Sequence, residues 1–402
     1  HIKHIGIVGD KNMIYLDNAA TTKLDKDAFN AMLPWLQEEY GNASQPYSFA
    51  RKPKKALMEA RTLIAECIGA QPDEIYFTSG GTESDNWAIK GVAEKGKKHH
   101  TIATQIEHHA ILNACRRLEH FGFQVDYLPV DKQGVVSCED LVKFIKGNTE
   151  LISVMMVNNE IGTIEPIKEI GEIAHRHGIL FHTDAVQAFG QIPIRADEMN
   201  IDMLSASGHK FNGPKGIGFL YIKKGLKLKS FIHGGQQERG RRAGTENVPG
   251  IVGIAKACEI AMAEMEERMK KETELRDYLI ERILKEIPYT RLNGHSKKRL
   301  PNNVNISFQF VEGESILIML DMAGICASSG SACTSGSVDP SHVLLAIGLP
   351  HEIAHGSLRL TLGYENTKEE MDMVVDNLKR IITNLRNMSP LYEDFVKKNH
   401  IQ

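Results

Sequence analysis

Short apolar stretches alternate along the first part of the chain with longer segments whose apolar positions recur every three or four residues. The short stretches predict strands at 13–17, 74–78, 100–104, 151–157, 179–184, 202–204 and 216–222. The longer segments predict helices at 25–40, 48–68, from the 79–84 turn to about 95, at 108–120 and at 167–177. Asp25 is placed to cap the first helix, and Pro34 is expected to kink it. Strands alternating with helices predict an α/β fold with a mostly parallel sheet covered on both faces. After Thr245 the pattern changes. A long, highly charged helix at 248–286 leads into a strand at 303–308, a helix at 314–322, a polar loop at 327–340, a helix at 341–347, a strand at 357–361 and a helix at 368–386. That smaller set predicts a second, α+β domain, with the long helix as the bridge.

Composition narrows the classes. Of 402 residues, 42% are hydrophobic and 25% charged, which suits a chain with a substantial core. A net charge of −3 gives no electrostatic case for nucleic acid or an anionic membrane as partner. No apolar run is long enough to span a bilayer. The six cysteines are scattered without a CxxC pair, which argues for a reducing, cytoplasmic setting and against a disulfide framework. Residues 1–12 precede Met13 and are expected to be an expression leader or the stretch before an alternative start.

The candidate chemistry gathers around Lys210. It follows a short buried strand, in the run 204–216 (LSASGHKFNGPKG), where a held and partly desolvated amine can attack a carbonyl. Taken singly it is an ordinary turn lysine. Its company changes that. Gly80, Gly81 and Thr82 open a helix, where free N–H groups and a hydroxyl suit a phosphate. Asp184 ends a strand and can pair with a pyridinium nitrogen. His108 begins a helix and offers a flat ring for stacking, while Asn159 and Gln187 can hydrogen-bond to a ring oxygen. The neighbouring histidines have no metal-ligand spacing. The glycines at 213, 216 and 218 do not form GxGxxG, and they precede a strand. Phosphate cradle, nitrogen partner, stacking ring and Schiff-base lysine together fit pyridoxal phosphate. NAD binding and a cofactor-free fold remain competitors on these residues alone.

Nine stretches then carry a family resemblance: 15–22 (YLDNAATT), 77–86 (FTSGGTESDN), Glu107–His108, 157–162 (VNNEIG), 182–187 (HTDAVQ), 207–210 (SGHK), 234–247 (GGQQERGRRAGTEN), 328–335 (SSGSACTS) and 358–363 (LRLTLG). With them the chain resembles the group I cysteine desulfurases of the NifS/IscS type, within the class V pyridoxal-phosphate-dependent aminotransferases of fold type I. The resemblance runs from about residue 14 to the C-terminal helix. It implies a segment at 13–24 packing with the small domain, a large cofactor-binding domain at 25–262 and a small domain at 263–402 that carries the catalytic cysteine.

The resemblance also implies roles. Lys210 forms the Schiff base, Asp184 pairs with the pyridine nitrogen and His108 stacks on the ring. Asn159 and Gln187 approach the ring hydroxyl. Gly81, Thr82, Ser207 and His209 hold the phosphate, with Thr245 contributed by the other subunit of a homodimer. Arg359, aided by Asn42, binds the carboxylate of the substrate L-cysteine. Cys333 accepts the sulfur as a persulfide, leaving L-alanine, and hands it to an iron–sulfur scaffold or another acceptor protein. One departure stands out: 41–47 reads GNASQPY where the family commonly has GNPSSxH, so Ala43 and Tyr47 alter the mouth of the site beside Asn42. The Ser/Gly/Thr-rich run around Cys333 has little to bury and predicts a mobile loop. Cys326 lies in an apolar segment and reads as structural. Selenocysteine lyase, another class V aminotransferase and an inactive cofactor-binding partner are the rivals. The cysteine loop argues against an aminotransferase, and intact Lys210, Asp184, His108 and Cys333 argue against an inactive partner.

Overall fold

The computed structural model of the chain describes residues 13–95, 99–329 and 340–399. Strand β1 (Ile14–Tyr15) opens the described chain. Strands β2 (Ile75–Thr78), β3 (His100–Thr104), β4 (Gln124–Leu128), β5 (Thr149–Ser153), β6 (Leu180–Asp184), β7 (Met203–Ser207) and β8 (Gly218–Ile222) build one seven-stranded sheet. Its order is β2-β8-β7-β6-β5-β3-β4, and β8 alone runs against its neighbours. The other strands therefore point the same way, and their C-terminal ends share one edge. Alternate side chains of the strands feed two cores. In β8, Phe219 and Tyr221 enter a core that includes Leu57, Ile64, Phe181 and Leu204, while Leu220 and Ile222 enter another with Trp87, Ile111 and Leu118.

The helix Val248–Glu286 spans two hydrophobic clusters. Its first half puts Ile251, Ile254, Cys258 and Ala261 against the sheet's core, and its second half puts Leu275, Leu279 and Ile283 into a separate cluster. That second cluster surrounds a three-stranded antiparallel sheet of β9 (Thr290–Leu292), β10 (Asn303–Phe308) and β12 (Ser357–Thr361), ordered β12-β10-β9. It also takes in Ile14 and Leu16, because β1 pairs in parallel with β11 (Ile325–Cys326). Half-buried Cys326 is thus a strand residue, as its apolar surroundings suggested.

Local details follow side-chain chemistry. Asp25 caps helix Lys26–Gln37, its Oδ1 accepting from the N–H groups of Asp27 and Ala28 at 2.7 and 3.2 Å. The helix runs unbroken through Pro34 and ends at Gln37, so the proline sits in its closing turn. The strand expected at 151–157 stops at Ser153. Beyond it the Met155 N–H donates to the Glu107 carboxylate at 2.9 Å and not to a neighbouring strand. Strand β4 and helix Cys138–Phe144 are elements that apolar periodicity did not predict. The run Gln124–Leu128 has only partly buried faces, and the helix is seven residues long. Among the described residues no helix is long and apolar enough to cross a membrane.

Glu272 sits buried between the two halves of the long helix, and burial pushes its carboxyl pKa up to about 8, against the opposing pull of Arg268 and Lys271. The folded protein keeps a proton there that the unfolded chain releases near the ordinary glutamate value of 4.5. Stability contributed at this site therefore falls as pH rises from 4.5 towards 8, by at most about 1.4 kcal/mol per pH unit. We expect Glu272→Gln to lose less melting temperature than the wild type between pH 6 and pH 9, measured by thermal unfolding of both proteins side by side.

Candidate active site

Five loops leave the C-terminal edge of the parallel strands and converge, as ligand sites in open α/β sheets do. After β2 the chain turns at Gly80, whose φ of +152° suits glycine, and enters helix Gly81–Ala93. A Cβ built on Gly81 would stand 2.6 Å from Val186 Cγ2, so only glycine lets this helix start so close to the loop after β6. The result is a set of open N–H groups beside buried Ser207, exposed Thr82 and half-buried His209, lining a cavity of about 450 Å³ that Lys215 also borders. Burial, with the positive charges of Lys210 and Lys215 nearby, pushes His209 down to about 4. A larger hollow of about 630 Å³ lies along the outer face of helix Arg51–Cys67, between Arg51 and Glu66, away from these groups.

Lys210 stands one short turn beyond β7. Its ammonium donates to the Ala19 and Ala20 carbonyls at 2.5 and 2.9 Å. The same N-terminal segment is fastened to the sheet edge by Thr22, whose N–H and hydroxyl both donate to the His209 carbonyl at 2.9 Å. Thr21 Oγ1 lies 3.1 Å from His209 Nδ1, and the Gln187 amide donates to the Ala19 carbonyl at 2.9 Å. Residues 19–22 thus form a wall of the site. Alanine and threonine carry no catalytic signature, so pattern alone assigns this stretch only a turn; a polar NAATT run directly after a buried strand is the available clue.

Asp184 ends β6 with its carboxyl buried, and Oδ1 accepts the Val186 N–H at 2.9 Å. Burial raises its pKa, while His108 and Lys210 pull it down. His108 caps helix His109–His120, its Nδ1 accepting the Ala110 N–H at 3.1 Å. Its ring is exposed on the cleft side. The surrounding protein lowers its pKa; Lys210 and His109 act in the same direction and Asp184 opposes them. Behind it Glu107 is fully buried, accepting from Thr104 Oγ1 at 2.7 Å and from the Met155 N–H, and burial pushes it up to about 8. The sequence motif includes Glu107 without telling that it is a protonated strut.

Arg359 on β12 comes from the far sheet and is 2% exposed. Its guanidinium donates to the Asn159 carbonyl at 2.9 Å and to Asp17 Oδ1 at 3.0 Å, while its Nε has no hydrogen-bond partner. Asp17 is a further site residue that residue type in a turn did not single out. Asn42 Oδ1 accepts the Ser44 N–H at 2.9 Å, and no hydrogen bond joins Asn42 to Arg359. Thr245 is exposed and makes no hydrogen bond with the Gly81–Thr82 cradle of its own chain. Its segment reaches that region through Arg242, which grips Glu83 with two bonds of 2.8 and 3.0 Å. Cys333 and its neighbours at 330–339, with the mobility expected for them, lie outside the described residues.

The chemistry of this donor set fits pyridoxal phosphate. A glycine-lined cradle with open N–H groups and flanking cations matches the phosphate, a buried carboxylate suits a protonated ring nitrogen, and an amine stands between them. Among the described residues no cluster of three or more His, Cys, Asp or Glu could hold a metal. Residues 14–374 match the family described as Aminotransferase class-V. The chain belongs to this family, whose enzymes depend on pyridoxal phosphate. It is 57% identical over 386 residues to a protein of Methanosarcina thermophila named cysteine desulfurase IscS, covering 95% of each chain. Among solved structures it resembles a NifS-like protein at 38% identity, with a TM-score of 0.87 over 92% of this chain and 99% of that one. It also resembles SspA, solved in complex with cysteine, at 39% identity, with a TM-score of 0.79 over 88% of this chain and 100% of the other.

The cradle makes a direct prediction. In Gly81→Ala the new methyl must displace Val186 or the helix start, an overpacking cost of about 1–3 kcal/mol. Equilibrium titration of the cofactor-free variant should show pyridoxal phosphate affinity lowered by about tenfold or more. Affinity equal to wild type would show that the helix start is not the phosphate site.

Proposed function

We infer that this chain is a pyridoxal-phosphate-dependent cysteine desulfurase, converting L-cysteine to L-alanine and passing the sulfur to Cys333. The observation that carries the reading is that Lys210, one turn beyond β7, stands near buried Asp184 on the sheet edge that also holds the glycine cradle, in a chain whose close relatives bear that name. The solved relative that holds cysteine supports the substrate.

Each residue has its work. Gly81, Thr82, Ser207 and His209 hold the phosphate; neutral His209 and the helix N–H groups donate, and Lys215 adds charge. Asp184 takes the ring nitrogen, His108 the ring face, and Asn159 and Gln187 the ring hydroxyl. Pyridoxal phosphate, when bound, supplies the electron-withdrawing ring that makes the substrate's α-proton removable. Lys210 releases the Ala19 and Ala20 carbonyls, moves the α-proton and later returns a proton to the carbon skeleton. Arg359 receives the substrate carboxylate, with Asn42 beside it. Because Asp17 already pairs with Arg359, the incoming carboxylate shares or replaces an existing partner. The Cys333 thiolate attacks the substrate sulfur, the carbon–sulfur bond breaks, and a persulfide forms as alanine leaves. That step balances without any added oxidant or reductant.

The persulfide then goes to an acceptor protein, and an iron–sulfur scaffold is the acceptor we propose. We also propose a homodimer in which Thr245 serves the other subunit's phosphate. Its exposure, and the apolar side chains of Phe29, Leu36 and Tyr40 left open to solvent nearby in sequence to Asn42, support that arrangement. The free thiols of Cys67, Cys115, Cys138, Cys258 and Cys326 support a cytoplasmic setting.

Two variants separate cofactor chemistry from sulfur transfer. Lys210→Ala should lose alanine formation from L-cysteine and the visible absorbance of the lysine-bound cofactor. Cys333→Ser should keep that absorbance and its response to L-cysteine, yet release sulfide at least about a hundredfold more slowly, since no nucleophile remains to take the sulfur. Normal sulfide release from Cys333→Ser would remove Cys333 from the reaction.

A further inference from the structure

Asp85 lies one turn into helix Gly81–Ala93, and its side chain turns inward onto the face of β6 where His182 and Asp184, two residues apart, stand side by side, with Ser205 in register with Asp184. It is 1% exposed, and its Oδ1 has no hydrogen-bond partner. No cation compensates it. The nearest ring nitrogen, His182 Nε2, is 3.7 Å from Oδ1, too far for a hydrogen bond. That nitrogen is already 2.9 Å from Ser205 Oγ, and the other, Nδ1, is 2.8 Å from Ser153 Oγ. The two hydroxyls satisfy a neutral imidazole, and burial holds His182 down to about 3. Ser205 on β7 also faces the Asp85 carboxyl, and Glu107 adds a further acid nearby. Two carboxyls thus meet in a buried pocket, and among the described residues none on the Asp85 side can take its proton. Like charges so placed cannot both ionise cheaply, so one of them keeps its proton.

The environments of the two acids differ. Asp184 has a backbone N–H on Oδ1 and the positive sides of His108 and Lys210 across the cleft, all favouring its ionised form. Asp85 has only Ser205 to favour ionisation, and burial together with the Asp184 charge opposes it. We propose that Asp85 is the protonated member of this pair and donates its proton in a hydrogen bond to Asp184, acting as a positioning residue that keeps Asp184 ionised and aimed at the cofactor's ring nitrogen. The inference rests on the reading of Asp184 as the nitrogen's partner. One helix then serves both ends of the cofactor, its N-terminus the phosphate and its first inward carboxyl the nitrogen site.

Infrared spectra of the cofactor-free protein test the proton itself. At pH 7 the difference between wild type and Asp85→Asn should contain a protonated-carboxyl stretch that belongs to Asp85, with the contributions of Glu107 and the other buried acids cancelling. Cofactor titration tests the positioning. Asp85→Asn, which still donates from its amide, should bind pyridoxal phosphate within about threefold of wild type, while Asp85→Leu, which donates nothing, should bind about tenfold or more weakly. Absence of the stretch from the difference spectrum would show Asp85 to be ionised and overturn the proposal. So would equal affinity in Asp85→Leu and wild type. If Asp85→Leu fails to fold, the infrared comparison with Asp85→Asn still decides the protonation. Asp184→Asn separates the two readings: unchanged cofactor affinity there removes Asp184 from the nitrogen site and leaves the Asp85 stretch as an independent result.

Discussion

Gly218 has no room for a side chain, and the active-site edge depends on that. It lies in register with Thr78 on one side and Ser207 on the other, where β8 separates β2 from β7. A Cβ there would stand 2.4 Å from the Ala206 carbonyl and 2.7 Å from Gly80 Cα. Because the position is bare, the Gly80 turn folds over β8 towards Ser207; a Cβ on Gly80 would come within 3.5 Å of Ser207 Oγ. The glycine turn at 80–81 and Lys210 follow strands that do not touch, since β8 lies between β2 and β7. Three glycines, at 80, 81 and 218, shape the space between them: Gly80 through its positive φ, Gly81 by leaving room for the Val186 side chain, and Gly218 where a Cβ would meet backbone.

The second constraint is electrostatic. The edge of a parallel sheet is a dry place, and this one gathers Asp85, Glu107 and Asp184 at the ends of neighbouring elements. Of these three, Asp184 has a charge of opposite sign across the cleft, from Lys210, with the His108 ring beside it. Glu107 uses one oxygen, Oε1, to accept from both Thr104 Oγ1 and the Met155 N–H, while the Val154 and Met156 N–H groups still donate to β6 at the His182 and Asp184 carbonyls. The Asn158 amide then returns to the Ile106 carbonyl at 2.9 Å, and the Asn159 carbonyl holds Arg359.

Much of this was legible in the sequence because it rests on short-range rules. The strand-end positions of Lys210, Asp184, His108 and Gly81 follow from alternating strand and helix patterns, and the Asp25 cap follows from residue type. What was not legible depends on contacts between residues far apart in the chain. Nothing in alanine or threonine announces that residues 19–22 meet Lys210 about 190 positions later. The Asp17–Arg359 pair spans 342 positions, and its two charges look like any surface pair until Arg359 is found buried and Asp17 half-buried. Strand β4 was missed for a related reason: its partner β3 supplies most of its order, while its own side chains are only half covered. Strand 151–157 was read too long because its apolar run continues after Glu107 has captured the Met155 N–H.

The N-terminal segment joins these arguments. Leu16 packs in the cluster around β10 and β12, and Asp17 bridges to Thr361, so residues 14–17 belong to the far core. Residues 19–22 hydrogen-bond to Lys210, His209 and Gln187 on the large sheet's edge, while the Ala19 N–H still donates to Thr361 Oγ1 at 2.9 Å. A few residues therefore tie the arginine-bearing strand to the lysine-bearing turn. Arg359 touches Asp17, Lys210 touches Ala19 and Ala20, and the chain between is too short to let the two move independently. On the roles proposed for Arg359 and Lys210, a substrate carboxylate displacing Asp17 and a cofactor drawing Lys210 off the Ala19 and Ala20 carbonyls would act on opposite ends of one strap, a segment with no reactive group of its own at residues 19 and 20.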